Sequence, residues 1–165
     1  MTLENKRGED MILGVDIGNT TIYFGVIEND EVLKSFRITT KKDITTEEYE
    51  IVIKNVLGEN VEKDKIKGII IASVVPEATL EVEEALCNVV RIKPVVLKRD
   101  IISTLNMDKE CVRALGADLI ADATGAIAKF ETPAIIFDMG TATTCSVVNK
   151  DGEFMGGMIC PRIKD

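Results

Sequence analysis

The sequence contains no histidine, and this absence removes several classes of catalytic site. Ser-His-Asp triads, Cys-His pairs, histidine-ligated zinc and imidazole acid–base chemistry are all excluded. Any catalysis must therefore use carboxylates, lysine, arginine, cysteine, hydroxyl groups or a bound metal ion.

Cysteine and long apolar runs are also scarce. The four cysteines are far apart in the sequence, so no Cys-x-x-Cys zinc or redox motif is present. There is no apolar signal segment at the start and no run of about 18 apolar residues. We therefore expect a cytoplasmic protein that does not enter a membrane, with its four thiols reduced and singly buried.

Basic residues are outnumbered, with 20 lysines and arginines against 28 acidic residues and a net charge of −8. No local basic stripe offsets this charge, so binding to a nucleic-acid backbone is disfavoured. Proline is rare, at 4 residues, while hydrophobic residues make up 45% of the 165-residue chain. These values are typical of a globular chain of about one domain and exclude disorder.

From Met11 onward, apolar runs of strand length alternate with amphipathic helical stretches, whereas residues 1–10 form a polar leader that we expect to be flexible. Asn29-Asp30 separates two β-rich runs and predicts a hairpin turn. The run GIIIASVV (68–75) predicts a strand buried on both faces, as in a parallel sheet. Together these patterns place the chain in the α/β class with a mixed sheet.

Three helices are predicted. In the first, near residues 45–57, Thr45 is the N-cap, Glu48 completes a capping box and Gly58 ends the helix. Pro76 opens the second, and an alanine-rich third helix covers about 116–130.

An internal repeat relates the two ends of the chain. Ile12–Glu31 aligns with Ala134–Glu153 without a gap, so that pairs of Asp, Gly and Thr residues coincide. In each copy a strand delivers an aspartate, turns on a glycine and returns as a second strand. Glycine permits close approach to a phosphate, turn amides and hydroxyls donate to it, and the aspartate can orient a metal ion. One such turn could be an ordinary hairpin, but two copies favour a clamp around the phosphates of a nucleotide.

The repeat also predicts the domain organisation. Residues 11–133 form a complete first lobe, and residues 134–165 supply only the opening strands of a second lobe. The second copy lacks helices to cover its apolar strands. We therefore expect either a longer protein of roughly 250 residues or a partner chain that covers them.

Five motifs stand in order along the chain and together resemble the type III pantothenate kinases of the actin-like, sugar-kinase superfamily. They are DIGNTT (16–21), ASVVP (72–76), LGAD (115–118), DMGTATT (138–144) and GGMICP (156–161). The resemblance implies an actin-like ATPase (ribonuclease H-like) fold whose first lobe is complete and whose second is only begun. It also implies ATP-dependent phosphorylation of pantothenate in coenzyme A biosynthesis, by a homodimer that needs Mg²⁺ and a monovalent cation, K⁺ or NH₄⁺.

The resemblance further implies roles for individual residues. The first phosphate loop would consist of Asp16, Gly18, Asn19, Thr20 and Thr21, with Asp16 directed towards Mg²⁺. The second phosphate loop would consist of Gly140, Thr141 and Thr143, with Asp138 at the monovalent-cation site.

The acceptor side of the site would be formed by the start of the third predicted helix. Gly116, Ala117, Asp118 and Leu119 would border pantothenate, and Asp118 would be the base that accepts the hydroxyl proton. Asp118 could instead cap the helix, where aspartate is favoured for structural reasons. Asp122, one helical turn further on, is interpreted as a bystander.

Leu119 stands where the family usually has arginine, and a leucine cannot make the hydrogen bonds of a guanidinium group. Two alternatives to a pantothenate kinase therefore stay open. One is a non-catalytic nucleotide-binding relative or dimer partner with a decayed acceptor site. The other is a superfamily member with a different acceptor.

Overall fold

The computed structural model describes residues 10–58, 61–97 and 116–161. Its strands and helices follow in chain order as β1 (Met11–Ile17), β2 (Thr21–Glu28), β3 (Glu31–Thr39), α1 (Thr46–Leu57), a 3₁₀ turn (Lys63–Lys65), β4 (Ile66–Ser73), α2 (Pro76–Val90), β5 (Val95–Val96), α3 (Ala117–Lys129), β6 (Ala134–Met139), β7 (Ala142–Val148) and β8 (Phe154–Pro161). Strands thus alternate with helices, as predicted. No helix in these ranges is both long and apolar enough to cross a bilayer.

The chain divides into two compact units, Met1–Val96 and Leu97–Asp165. This division differs from the lobe boundary predicted after residue 133, because α3 packs on strands β6 and β7 within the second unit. The compact units reflect packing within the structure, whereas the predicted lobes were inferred from the sequence repeat. The lobe boundary therefore stays a prediction. Residues 1–9 of the predicted leader lie outside the described residues.

The first unit contains a five-stranded sheet in the order β3-β2-β1-β4-β5. Strand β1 pairs antiparallel with β2 and parallel with β4, so the predicted mixed sheet is confirmed. Asn29 and Asp30 both have positive φ and form the predicted turn between β2 and β3. Two successive left-handed residues match the right-handed twist of hairpin strands.

Helices α1 and α2 cover one face of this sheet. Buried side chains of the strands, such as Val15 and Ile17, share one core with Ile53 of α1 and with Val82 and Leu86 of α2. The alternation of buried and exposed residues along β1 follows from the period of two in a strand.

The prediction that residues 68–75 are buried on both faces is wrong. Ile69 and Ile71 lie in the core, but Ile70 between them is 43% exposed. The strand does pair in parallel with β1 and β5, as predicted. In the described part of the first unit, both helices that pack in its core lie on the same face of the sheet, and the other face stays accessible.

The second unit contains a three-stranded antiparallel sheet in the order β6-β7-β8. Ile120 and Ala123 of α3 pack against Val148 and Phe154 on one face of this sheet. A tight turn joins β7 and β8, and Gly152 adopts a φ of +76 there, a conformation that favours glycine.

The cysteines differ from the prediction of single burial. Cys160 is exposed, Cys87 and Cys145 are partly buried, and all three are free thiols. Cys160 lies on the edge strand β8, at a position facing Thr143 that no helix of the described second unit covers. Cys111 falls outside the described residues.

Candidate functional site

The first predicted phosphate loop is the turn between β1 and β2. The amide of Gly18 donates a hydrogen bond of 3.0 Å to the carbonyl of Thr21, which closes the turn. A Cβ atom at Gly18 would lie 3.2 Å from that carbonyl oxygen, closer than ordinary contact. Asn19 and Thr20 form the exposed tip of the turn, and Thr21 is half-buried. Glycine therefore allows this tight, solvent-facing loop without displacing the Thr21 carbonyl.

Asp16 lies one residue before the end of β1 and is exposed. Its direct neighbours across the sheet are Tyr23 on β2 and Ala72 on β4. Because Val15 and Ile17 face the core, Asp16 lies on the opposite face of the sheet. An exposed carboxylate is the kind of group that binds Mg²⁺ directly or through its waters.

The ASVVP motif ties this loop to the start of α2. The amide of Val74 donates a hydrogen bond of 3.1 Å to the carbonyl of Ile17, directly before the loop. The Ser73 hydroxyl accepts the amide of Val75 at 3.0 Å and lies 2.7 Å from the Thr79 hydroxyl. The motif thus fixes one side of the loop and the beginning of α2 together.

The second predicted phosphate loop joins β6 and β7 in the second unit. Asp138, Gly140 and Thr141 are exposed, and Thr143 is half-buried. A Cβ atom at Gly140 would approach the Asp138 carboxylate oxygens to 3.8 and 4.0 Å. Glycine at this position therefore keeps the space beside the carboxylate open.

The two loops differ by one residue in strand register, although their sequences align without a gap. The last pair before the loop is Ile17 with Ile22 in the first hairpin and Met139 with Thr143 in the second. As a result, Asp138 is paired across the strands with the buried Thr144. The equivalent Asp16 of the first hairpin is paired with Tyr23, which does not correspond to Thr144 in the repeat. A carboxylate beside a hydroxyl is a suitable donor pair for a hard cation.

The candidate acceptor residues lie at the start of α3. Gly116 is the N-cap residue and makes no side-chain cap, so the alternative that Asp118 caps the helix is wrong. Asp118 instead lies in the first helical turn, where one carboxylate oxygen accepts the amide of Leu119 at 2.8 Å. An acid in the first turn is stabilised by the partial positive charge of the helix N-terminus.

The other acceptor-side residues differ in accessibility. Gly116, Ala117 and Asp118 are half-buried, whereas the Leu119 side chain is only 8% exposed. A leucine in this position packs inside the protein, and it offers little surface to a ligand.

Asp122 is nearer to the candidate site than the sequence indicated. Burial raises its pKa, and the negative charges of Asp138 and then Asp118 raise it further. Three carboxylates of the second unit therefore interact electrostatically. The spacing of Asp118 and Asp122 was a signal for one shared helix face, but only the fold places Asp138 near them.

The described residues are compatible with the Mg²⁺ and the monovalent cation that the resemblance implies, but they do not form a complete metal site by themselves. In the ranges that the structure describes, no three acidic or cysteine side chains converge into a self-sufficient metal site. Mg²⁺ typically takes one or two carboxylates together with waters and substrate phosphates, so a single exposed aspartate such as Asp16 is compatible with it. Asp138 beside Thr144 is compatible with a monovalent cation.

Comparison with known proteins places these motifs in a family. The profile of the type III pantothenate kinase family matches residues 12–164. A type III pantothenate kinase from Agathobacter rectalis is 37% identical over 155 residues, which are 93% of this chain and 60% of that protein. One from an Exiguobacterium species is 35% identical over 154 residues, 93% of this chain and 61% of that protein. The chain thus spans about three fifths of the length of these curated relatives.

Solved structures with low sequence identity share the fold. An Aquifex aeolicus Ppx/GppA phosphatase aligns with a TM-score of 0.53 at 10% identity, over 92% of this chain and 52% of its own. The activator of 2-hydroxyisocaproyl-CoA dehydratase from Clostridium difficile, with bound ADPNP, aligns with a TM-score of 0.52 at 14% identity, over 92% of this chain and 46% of its own. At such identities the likeness concerns the fold alone, which is the predicted α/β fold of the actin-like ATPases. The family match over nearly all of the chain decides the rest: the chain belongs to the type III pantothenate kinases, a family of ATP-dependent kinases.

Proposed function

We propose that this protein transfers the γ-phosphoryl group of ATP to the hydroxyl group of pantothenate and so forms 4′-phosphopantothenate. The observation that carries the proposal is the pair of Asp-x-Gly turns, one in each sheet, together with Asp118 in the first turn of α3. Family membership supports the choice of substrate. Because ATP is the donor, we place the reaction in the cytoplasm.

The proposed division of labour follows from the chemistry of the residues. In the first loop the amide of Asn19 and the hydroxyls of Thr20 and Thr21 would hold phosphates of ATP, while Gly18 keeps the turn tight. In the second loop Gly140, Thr141 and Thr143 would do the same. Mg²⁺ near Asp16 would neutralise phosphate charge, and a K⁺ or NH₄⁺ ion near Asp138 would do the same on the second loop. Positioning and charge neutralisation supply most of the rate of phosphoryl transfer.

Asp118 is the proposed base. Its carboxylate accepts the proton of the pantothenate hydroxyl while that oxygen forms a bond to the γ-phosphorus. The bond from the γ-phosphorus to the bridging oxygen breaks, and ADP leaves with the electron pair. Gly116 and Ala117 would border the acceptor, and we propose that two copies of the protein form a homodimer.

The test is detection of 4′-phosphopantothenate by mass spectrometry. The purified protein is incubated with ATP, Mg²⁺, NH₄⁺ and pantothenate, beside an Asp118→Asn variant. We expect product with the wild type and a rate at least about 100-fold lower with Asp118→Asn, since general-base catalysis contributes about that much or more. Equal rates would remove Asp118 from the catalytic role.

A non-catalytic nucleotide-binding protein is the second candidate, favoured by the buried Leu119 at the acceptor side. This candidate predicts that the protein binds ATP, as measured by isothermal titration calorimetry, but forms no 4′-phosphopantothenate. Formation of 4′-phosphopantothenate by the wild type contradicts this candidate. Phosphorylation of a different alcohol would indicate a kinase with a different acceptor.

A further inference from the structure

The first phosphate loop is held by a residue that lies outside the five sequence motifs. Thr40, directly after β3, donates its hydroxyl to the carbonyl of Gly18 at 2.7 Å. Its backbone amide donates to the carbonyl of Thr20 at 2.9 Å. One residue therefore binds two carbonyls of a loop 20 to 22 positions away in the sequence.

Thr40 is itself anchored to the core through the next residue. The phenol hydroxyl of Tyr49 on α1 donates to the carbonyl of Lys41 at 2.6 Å and accepts the Lys41 amide at 3.1 Å. Tyr49 is 1% exposed, and burial raises the pKa of its hydroxyl, so the group stays protonated and able to donate. The segment that carries Thr40 thus has a fixed position relative to the helix layer.

These bonds decide which polar groups the loop presents to a ligand. The carbonyls of Ile17 and Thr21 are also occupied, by the amides of Val74 and Gly18. These four carbonyls are bound within the protein and cannot turn towards an anion, whose oxygens they would repel. Within the described residues, Asn19 at the tip makes no hydrogen bond, so its amide is available to a phosphate oxygen.

We infer that Thr40 is a positioning residue for nucleotide binding: its hydroxyl holds the carbonyl of Gly18 inward, so that the amide on the other side of the same planar peptide, that of Asn19, faces the phosphates of ATP. The inference rests on the proposed function and adds to it a residue that touches neither substrate. It assigns the hydroxyl, rather than the size or the backbone of Thr40, as the group that matters.

The test compares Thr40→Val, which keeps the shape and removes the hydroxyl, with Thr40→Ser, which keeps the hydroxyl. Thr39→Val, at an exposed neighbouring position, is the matched control. Two quantities are measured: the affinity for MgATP by calorimetry, and amide hydrogen exchange of residues 16–21 without nucleotide. Loss of a partly buried hydrogen bond such as this one corresponds to about a tenfold change in an equilibrium constant.

We expect Thr40→Val to weaken MgATP binding about tenfold and to speed amide exchange in the loop, while Thr40→Ser and Thr39→Val behave like the wild type. Equal affinity and exchange in Thr40→Val, or equal losses in the valine and serine variants, would overturn the inference. If Thr40→Val does not fold, Tyr49→Phe replaces it, since it removes only the hydroxyl that holds Lys41; a loop unchanged in that variant also counts against the inference.

The proposed function is judged separately. If the wild type does not bind MgATP, the proposed function fails, and exchange in the loop alone decides on Thr40. Faster exchange in Thr40→Val then supports its positioning role, and unchanged exchange overturns it.

Discussion

Asp122 illustrates how a single side chain acquires its properties from its surroundings. It lies on α3 one turn after Asp118, is half-buried, and has the charges of Asp138 and Asp118 nearby. Burial and like charges both disfavour its ionised form, so its pKa is raised. Between the ordinary aspartate pKa of about 4 and this raised value, the folded chain binds more protons than the unfolded chain. The stability of the fold therefore decreases as the pH rises through that range.

Asp122→Asn should remove this pH-dependent penalty. We expect the variant to have a higher melting temperature than the wild type at pH 7, because asparagine cannot ionise. The difference should vanish below about pH 4, where the wild-type carboxyl is protonated in both states. Thermal unfolding followed by circular dichroism across this pH range measures the effect.

The control for this experiment is Asp151→Asn, in the exposed turn between β7 and β8. It removes one negative charge from the same unit without a change in the interior. Equal stabilisation by both substitutions would indicate an effect of net charge and would contradict the local explanation.

The sequence predicted the residue types of the candidate site better than their surroundings. Spacing alone indicated that Asp118 and Asp122 share a helix face, and the structure agrees with this spacing. The raised pKa of Asp122 depends on Asp138, 16 residues away, and on packing of α3 against β6. Thr40 was missed for the same reason, since its bonds to Gly18 and Thr20 join distant parts of the chain.

At the scale of an element, local signals determine the ends of α1. The Thr45 hydroxyl accepts the amide of Glu48, and the Glu48 carboxylate accepts the amide of Thr45 at 2.9 Å. Gly58 ends the helix with a φ of +43. Such caps use only neighbouring residues, which is why the sequence predicted both ends of this helix.

Thr45→Ala should destabilise the first unit by about 1 kcal/mol, because it leaves an amide of the first turn without its side-chain partner. Thr45→Ser keeps the hydroxyl and should lose little. Urea unfolding measures the free energy of both variants. Equal losses would show that the methyl group of Thr45, and not its hydroxyl, is responsible.

Predictions about strands were less complete than those about helix ends. The apolar run 68–75 correctly indicated a strand with parallel neighbours, but burial of both faces was wrong at Ile70. The gapless repeat did not reveal the different register of the two hairpins. Both features depend on which elements pack against a strand, and periodicity within the strand carries no information about that.

At the scale of the whole molecule, the repeat relates two equivalent sheet faces, one packed under helices and one exposed. Leu13, Val15 and Ile17 are 0%, 4% and 0% exposed, because helices α1 and α2 pack over them. Their counterparts in the second copy are Ile135, Phe137 and Met139, which are 64%, 63% and 82% exposed. Equivalent positions of the repeat are thus a core face in one unit and an accessible apolar face in the other.

The accessible face of β6 should dominate the surface hydrophobicity of the 165-residue chain. Contiguous apolar patches bind hydrophobic dyes and promote association, whereas single exposed apolar residues do not. We expect strong fluorescence of 8-anilinonaphthalene-1-sulfonate with the wild type and loss of most of it in the double variant Ile135→Thr/Phe137→Thr. Threonine keeps the strand propensity of these positions, so the sheet should persist. Leu80→Gln, at a lone residue 71% exposed on α2, should leave the signal unchanged. If the double variant binds as much dye as the wild type, another surface is responsible, and the face of β6 is covered in solution.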